Sequence, residues 1–174
     1  MNEKRALFVG RFNPFHLGHL RAVEEILTQV EELIIVVGST QESHTFSNPF
    51  TAGERILMIK EALKEAHVPL DRIYIVTVPD IHYYSLYVEH LRSYCPPFDI
   101  AYSNNPLMKR LFTEAGILVK PTGDFNRKQL QGTRIRECMM KNYEWERFLP
   151  SAVVKVIKSL NGIRRLNEII SSRD

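Results

Sequence analysis

The sequence feature that most restricts the fold is a nearly continuous β-branched run, ELIIVVGS, at residues 32–39. Runs of this kind are typical of strands covered on both faces, as in parallel sheets. An earlier run, RALFVG at 5–10, also ends in glycine, and LRAVEEILTQV at 20–30 follows it with apolar residues at helical spacing. The order strand, loop, helix, strand predicts a parallel sheet.

The same alternation continues along the chain. The segment TAGERILMIKEALKEA at 51–66 predicts a helix capped by Thr51, with Glu54 at the capping-box position. Three further strands and two further helices are predicted in the order RIYIVTV (72–78), YYSLYVEHLRSY (83–94), FDIAYS (98–103), PLMKRLFTEAG (106–116) and ILVKP (117–121). From GTRIRECMMKN (132–142) through SAVVKVIKSLNG (151–162) the pattern is helical.

These elements predict an α/β fold: a doubly wound, five-stranded parallel Rossmann-like sheet with helices on both faces and a helical C-terminal tail. A length of 174 residues suits one domain, so we expect a single domain over 1–174, with a Rossmann-like core at 1–130 and a helical part at 131–174.

Composition and charge narrow the class of protein. No apolar run approaches membrane-spanning length and no signal pattern opens the chain, which predicts a cytoplasmic protein without a membrane partner. The net charge of +3 is modest and spread out, so no nucleic-acid partner is expected. Cys95 and Cys138 lie far apart without metal-ligand spacing, which predicts two free, buried thiols.

The segment GRFNPFHLGHL, at residues 10–20, stands where the first strand gives way to the first helix. Ligands of open α/β sheets bind beyond the carboxyl ends of the strands, and helix N-termini bind phosphates. His16 and His19 are one helical turn apart and can face one point, while Gly18 leaves room for a ligand near the backbone. These positions indicate a phosphate-binding loop.

The segment has other possible interpretations. A zinc pair is disfavoured, because no cysteine or third histidine stands nearby at a suitable spacing. The segment is neither a Walker motif nor a dinucleotide fingerprint. Taken alone, the segment could also be an incidental helix start.

Two motifs carry a resemblance to a known family. The strand followed by GRFNPFHLGHL resembles the (H/T)xGH signature of the nucleotidyltransferase superfamily, and QGTRIRECM at 131–139 is similar to its second signature. Between them, SHTFSNPFTAGER, VPDIHYYSLYVEHL and PPFDIAYSNNPLMKRLF resemble the archaeal nicotinamide mononucleotide (NMN) adenylyltransferases over essentially the whole chain.

The resemblance implies an activity and a set of site residues. The implied reaction converts ATP and NMN to NAD and pyrophosphate by direct attack of the NMN phosphate on the α-phosphorus, without a protein nucleophile. His16 and His19 would hold the ATP phosphates, Arg136 the β- and γ-phosphates, and Arg11 would bridge both substrates. The other ATP contacts implied are Gly10, Phe12, Asn13, Gly18, Asn104, Arg127, Gly132 and Thr133. For Arg11 and Arg136, the alternative is a solvated charge or a surface ion pair.

The resemblance also implies an NMN site. Tyr87 stands where the family has a tryptophan that stacks on the nicotinamide ring, and the alternative is a core aromatic on a helix with Leu86 and Leu91. Gly38, Ser39, Asp80, Ile81 and Tyr84 complete the implied set, with helix capping as the alternative for Asp80 and a strand-end turn for Ser39. The chain departs from the family pattern at three positions: Gln131 replaces the usual serine, Ser47 stands where some relatives have an arginine, and Tyr84 replaces an asparagine.

Cofactors, assembly and alternatives follow from the same resemblance. Mg²⁺ is expected on the ATP phosphates, with no protein metal ligand. The resemblance implies a homo-oligomer, up to a hexamer. The alternative functions are adenylyl transfer to phosphopantetheine or flavin mononucleotide (FMN), and a non-catalytic module that senses nucleotides.

Overall fold

A computed structural model describes residues 3–123, 125 and 130–171, without the side chains of residues 3 and 4. Its strands are β1 (Glu3–Gly10), β2 (Val30–Val37), β3 (Ile73–Thr77), β4 (Ile100–Tyr102) and β5 (Leu118–Lys120). Its α-helices are α1 (Leu17–Leu27), α2 (Ala52–Glu65), α3 (Tyr87–Tyr94), α4 (Pro106–Glu114), α5 (Gly132–Met140), α6 (Ser151–Ser159) and α7 (Gly162–Ser171). Shorter 3₁₀ helices lie at Leu70–Arg72, Tyr84–Leu86 and Trp145–Phe148.

The five described strands form one parallel sheet in the order β3-β2-β1-β4-β5. Leu7 of β1 lies between Ile34 of β2 and Ala101 of β4. The chain extends the sheet first to one side of β1 and then to the other, which is the strand order of a doubly wound sheet. The predicted five-stranded parallel α/β fold is confirmed.

The β-branched run that predicted a parallel strand is fully buried. Residues 33–37 of β2 are all 0% exposed, as expected for a strand covered on both faces. Ile34 and Val36 belong to a core cluster that includes Val88 and Leu91 of α3 and Phe112 of α4. β2 thus contributes to the apolar packing that holds α3 and α4 on the sheet.

The start of α2 follows the sequence prediction closely. Thr51 is the N-cap: its hydroxyl accepts a hydrogen bond from the Glu54 N–H at 3.3 Å, and its own N–H donates to the Glu54 carboxylate at 2.9 Å. Arg165 of α7 donates to both oxygens of this carboxylate, at 2.6 and 2.9 Å. The capping box therefore also anchors α7 to α2.

Three predictions about local structure needed correction. The helix predicted at 83–94 begins as the 3₁₀ turn Tyr84–Leu86 and becomes α-helical only at Tyr87. The C-terminal part is helical but broken into α5, the 3₁₀ turn at Trp145–Phe148, α6 and α7. Cys95 and Cys138 are free thiols but half-buried rather than buried.

The chain packs into two compact units that alternate along the sequence. One comprises the sheet with residues 22–40 and 70–123, including α3 and α4. The other comprises residues 11–21 and 41–69 together with α5, α6 and α7. The predicted organisation as a single domain stays a prediction.

Candidate active site

The loop at residues 11–16, here called the phosphate loop, has a positive φ at one residue and side-chain hydrogen bonds to neighbouring segments. Phe12 has a φ of +51° and is only 1% exposed. The Asn13 side chain accepts a hydrogen bond from the Phe50 N–H at 3.2 Å and donates to Asn48 Oδ1 at 3.2 Å. A bulky residue in the left-handed region is strained, so such contacts are needed to keep the loop in this shape.

His16 and His19 lie at the end of this loop and in the first turn of α1. Their rings stack with centroids 3.4 Å apart and 19° between planes. The His16 N–H donates to His19 Nδ1 at 3.2 Å, and the His19 N–H donates to His16 Nδ1 at 3.3 Å. Since a backbone N–H can only donate, both Nδ1 atoms act as acceptors, which assigns the proton of each neutral ring to Nε2.

Burial determines the charge of this pair. It lowers the pKa of His16 to about 3, and it also lowers the pKa of His19 well below its usual value, with a further contribution from His16. Both rings are therefore neutral at pH 7. The pair can offer N–H donors to an anion without carrying a charge of its own.

Gly18 makes room for the histidine pair itself. A Cβ at this position would lie 3.2 Å from two atoms of the His16 ring and 3.3 Å from Leu130 Cδ1. These distances are tighter than ordinary van der Waals contact. The absence of a side chain at Gly18 is therefore explained by the ring that packs against its backbone.

Arg136 of α5 brings the second signature to the phosphate loop. It is 3% exposed, and it donates to the Asn13 carbonyl at 2.8 Å and to Thr133 Oγ1 at 3.2 Å. Its guanidinium lies over the Phe46 ring, 5.3 Å from the centroid. Among the described residues, its buried Nε has no hydrogen-bond partner. Burying such a donor is unfavourable, so the guanidinium is suited to an added anion.

The charge around Arg136 also favours an anion. The pKa of Arg136 is lowered to about 10, first by burial and second by the positive charge of Arg11, while Glu137 acts in the opposite direction. Arg11 itself is exposed. Two guanidinium groups that repel one another form a local excess of positive charge, which a phosphate chain would neutralise.

The N-terminus of α5 adds backbone donors to the same group. Gln131 is the N-cap and makes no side-chain capping bond, and a Cβ on Gly132 would lie 3.1 Å from Arg136 Nη1. The first N–H groups of a helix lack intrahelical partners and favour anions. The serine that Gln131 replaces in the family pattern is thus not required for an amide-lined site here.

The residues expected to bind NMN follow β2 and β3, two neighbouring strands whose ends pair at Val37 and Thr77. Gly38 N–H donates to the Gly10 carbonyl at 2.9 Å, and Ser39, 7% exposed, has a φ of +50°. Asp80 is exposed and Ile81 half-exposed. Because parallel strands end at a common edge, these loops share one edge of the sheet.

Helix capping by Asp80 is excluded. The residue before the 3₁₀ turn is Tyr83, and the N-cap of α3 is Leu86. Ser39 follows the end of β2 by two residues and has a positive φ. The contact of either side chain with a substrate stays a prediction.

Tyr84 and Tyr87 differ in their surroundings. Tyr87 packs on the core and meets the Phe112 ring edge-to-face at 6.2 Å, and burial raises its pKa to about 12. Tyr84 is 57% exposed in the preceding 3₁₀ turn. The structure thus agrees with the core alternative for Tyr87, while its stacking on a substrate stays a prediction.

Asn104 has a defined orientation. Its Nδ2 donates to the Thr122 carbonyl at 2.9 Å and to Thr122 Oγ1 at 2.8 Å, which joins the loops after β4 and β5. Ser47, another departure from the family pattern, is exposed. Arg127 lies outside the described residues.

Sequence reasoning missed Arg55, a fully buried arginine on α2. It donates to the Arg11 carbonyl at 2.9 Å and to the Thr51 carbonyl at 3.3 Å. The available signal was its spacing, since Arg55 precedes Met58, Ile59 and Ala62 on the buried face of the helix. An arginine on an apolar face needs polar partners inside the protein.

The described side chains do not form a protein metal centre. Among the parts of the chain that the structure describes, no group of three or more His, Cys, Asp and Glu side chains could hold a metal ion. His16, His19 and Arg136 instead offer N–H donors at the phosphate loop. In the same described regions, no helix is long and apolar enough to cross a membrane.

Comparisons with known proteins agree with this chemistry. The pattern of the cytidylyltransferase-like family matches residues 7–138. A nicotinamide-nucleotide adenylyltransferase of Archaeoglobus fulgidus is 50% identical over 173 residues, covering 98% of this chain and 99% of that protein. One from Ignicoccus hospitalis is 50% identical over 171 residues, with the same coverage of both chains.

A solved structure supports the fold. The bifunctional NMN adenylyltransferase/ADP ribose pyrophosphatase of Francisella tularensis, in complex with AMP and a manganese ion, superimposes with a TM-score of 0.78 at 20% identity. The match covers 95% of this chain and 52% of that one, so the chain spans about half the length of the bifunctional protein.

Proposed function

We propose that this chain, which belongs to the cytidylyltransferase-like family and within it to the nicotinamide-nucleotide adenylyltransferases, transfers the adenylyl group of ATP to NMN. The relatives that carry this name match at 50% identity over nearly their full length. The products are NAD and pyrophosphate. The reaction synthesises NAD by moving an adenylyl group from one small molecule to another.

The observation that carries the ATP half of the proposal is Arg136. It is 3% exposed, its Nε has no hydrogen-bond partner among the described residues, and the charge of Arg11 lies close enough to lower its pKa. The neutral histidine pair and the first amides of α5 add further donors. A group composed of N–H donors suits a triphosphate.

The reaction requires one displacement at phosphorus. An oxygen of the NMN phosphate forms a bond to the α-phosphorus while the bond from that phosphorus to the bridging oxygen breaks, and the electron pair leaves with pyrophosphate. The charge that grows on the leaving group is stabilised by Nε2–H of His19 and His16 and by the guanidinium of Arg136. Arg11 aligns the two phosphates that must meet.

Mg²⁺ fits this site as a part of the substrate. Among the described residues no group of three or more His, Cys, Asp and Glu side chains could hold a metal ion, so the ion would arrive on the ATP phosphates and neutralise part of their charge. The other ATP contacts proposed are Gly10, Phe12, Asn13, Gly18, Asn104, Arg127, Gly132 and Thr133.

For NMN, we assign Gly38, Ser39, Asp80, Ile81, Tyr84 and Tyr87. Gly38, Ser39, Asp80 and Ile81 lie on loops that share one edge of the sheet, and Tyr87 provides an aromatic face. A cytoplasmic location and assembly into a homo-oligomer of up to six chains remain predictions, and light scattering measures the latter.

The direct test is pyrophosphate release with ATP and Mg²⁺. NMN is compared with its nicotinic acid analogue, phosphopantetheine and FMN as acceptors. Release with NMN supports the proposal, and the analogue then ranks the two pyridine nucleotides. Release only with phosphopantetheine or FMN retains the ATP site but refutes the acceptor, whereas ATP binding without release under any acceptor favours a sensor.

A further inference from the structure

We propose that Arg55 is a positioning residue of the phosphate loop: its guanidinium holds the Arg11 carbonyl and thereby sets the direction in which the Arg11 side chain leaves the backbone. This inference rests on the proposed function, because it takes Arg11 as the group that aligns the substrate phosphates. Arg55 is fully buried. It acts through the backbone that it holds.

The first support is the place of Arg55 in α2. The residue is 0% exposed, and the helix is held at its start by the capping box of Thr51 and Glu54. Its Nη1 donates to the Arg11 carbonyl at 2.9 Å, while its Nε donates to the Thr51 carbonyl at 3.3 Å. The planar guanidinium thus joins the phosphate loop to the first turn of a well-anchored helix.

The second support is the strained residue that follows Arg11. Phe12 has a φ of +51°, which is unfavourable for a bulky side chain. On its other side, Arg136 Nη1 donates to the Asn13 carbonyl at 2.8 Å. Two buried guanidinium groups therefore hold the carbonyls on both sides of Phe12. Strained conformations persist only where the surroundings over-determine them, and these contacts do so here.

The third support is the charge of Arg11. Its positive charge is one of the causes that lower the pKa of Arg136, so the two guanidinium groups are held close together despite their repulsion. A loop free to rotate at Arg11 would move the two charges apart. Arg55 opposes this motion through the Arg11 carbonyl.

The test compares Arg55→Lys with the wild-type chain by pyrophosphate release and thermal unfolding. An ammonium group lacks the planar fork of a guanidinium and cannot join both carbonyls in the same geometry. We expect kcat to fall about ten- to a hundred-fold, because a small misplacement of an aligning group has an effect of this size. Arg55→Met is made in parallel, because its unbranched side chain adapts to the space of the arginine stem and removes every guanidinium donor.

Arg72 offers a matched control in the sheet unit. It also donates to backbone carbonyls, those of Leu27, Val30 and Glu31, at 2.9, 2.5 and 2.7 Å. We expect Arg72→Lys to lower the melting temperature and leave kcat unchanged. If Arg55→Lys and Arg55→Met likewise lower the melting temperature and leave kcat unchanged, Arg55 is merely structural and the inference is refuted.

A double-mutant cycle with Arg11→Ala identifies the route of the effect. If Arg55 acts through Arg11, the double variant is no more than about two-fold slower than Arg11→Ala alone, because the side chain that Arg55 directs is already absent. Losses that multiply contradict the inference.

Failure of the proposed function is recognised separately. If the wild-type chain releases no pyrophosphate with any acceptor, calorimetric binding of MgATP replaces turnover as the measurement. Weaker MgATP binding by Arg55→Lys, with an unchanged Kd for Arg72→Lys, then supports the inference. An unchanged Kd for Arg55→Lys refutes it.

Discussion

Acidification is expected to destabilise the ligand-free protein through His16. The folded chain holds the pKa of His16 at about 3, mainly by burial, whereas an unfolded chain returns it to the usual value of about 6.5. Between these values the unfolded state binds a proton that the folded state does not. His16 therefore does not reduce the free energy of unfolding above about pH 6.5, and the free energy of unfolding falls as the pH decreases below this value.

The magnitude follows from the linkage relation. Between pH 7 and pH 5, the unfolded imidazole becomes almost fully protonated while the buried one stays neutral, so His16 alone removes about 2 kcal/mol from the free energy of unfolding. The folded state takes up almost no proton in this range, because its pKa of about 3 lies well below pH 5. His19 acts in the same direction.

Urea unfolding at pH 7 and pH 5, without nucleotide, measures this difference. His16→Asn cannot titrate but keeps an oxygen near the place of Nδ1, where it can accept the His19 N–H. We expect the variant to lose about 2 kcal/mol less than the wild type on acidification. His67→Gln, at an exposed histidine, serves as the control. Equal losses in wild type and His16→Asn would refute the buried, neutral pair.

Three further changes test the proposed site and its support. His19→Ala removes a donor to the leaving group and should lower kcat about 10²–10³-fold with a folded chain by circular dichroism, so near wild-type turnover would exclude its role. Tyr87→Ala should weaken binding of NMN more than of ATP in calorimetry, whereas Tyr87→Phe keeps the ring and should not; equal effects on both ligands would leave Tyr87 a core residue. Gly162→Ala places a Cβ 2.9 Å from Ile157 Cγ2 and 3.0 Å from the Phe50 ring, and overpacking should lower stability by about 1–3 kcal/mol in urea unfolding. An unchanged unfolding midpoint would show that α7 can shift without penalty.

Much of the fold was predictable because the signals are local. The β-branched run of β2, the capping box at Thr51 and the order of elements depend on backbone geometry and on side chains a few residues apart. The histidine signature was visible for the same reason. Local pattern failed at 83–94, where a 3₁₀ turn precedes α3.

The chemistry of the site depended on contacts that no local pattern contains. Arg136 meets the Asn13 carbonyl across 123 residues, and Arg55 meets that of Arg11 across 44. Burial then decides that His16 is neutral, because the surrounding protein replaces water around the ring. Residue order along the chain was therefore sufficient to predict the strands and the signatures, whereas protonation, donor direction and the shape of the phosphate loop arise only when distant segments pack together.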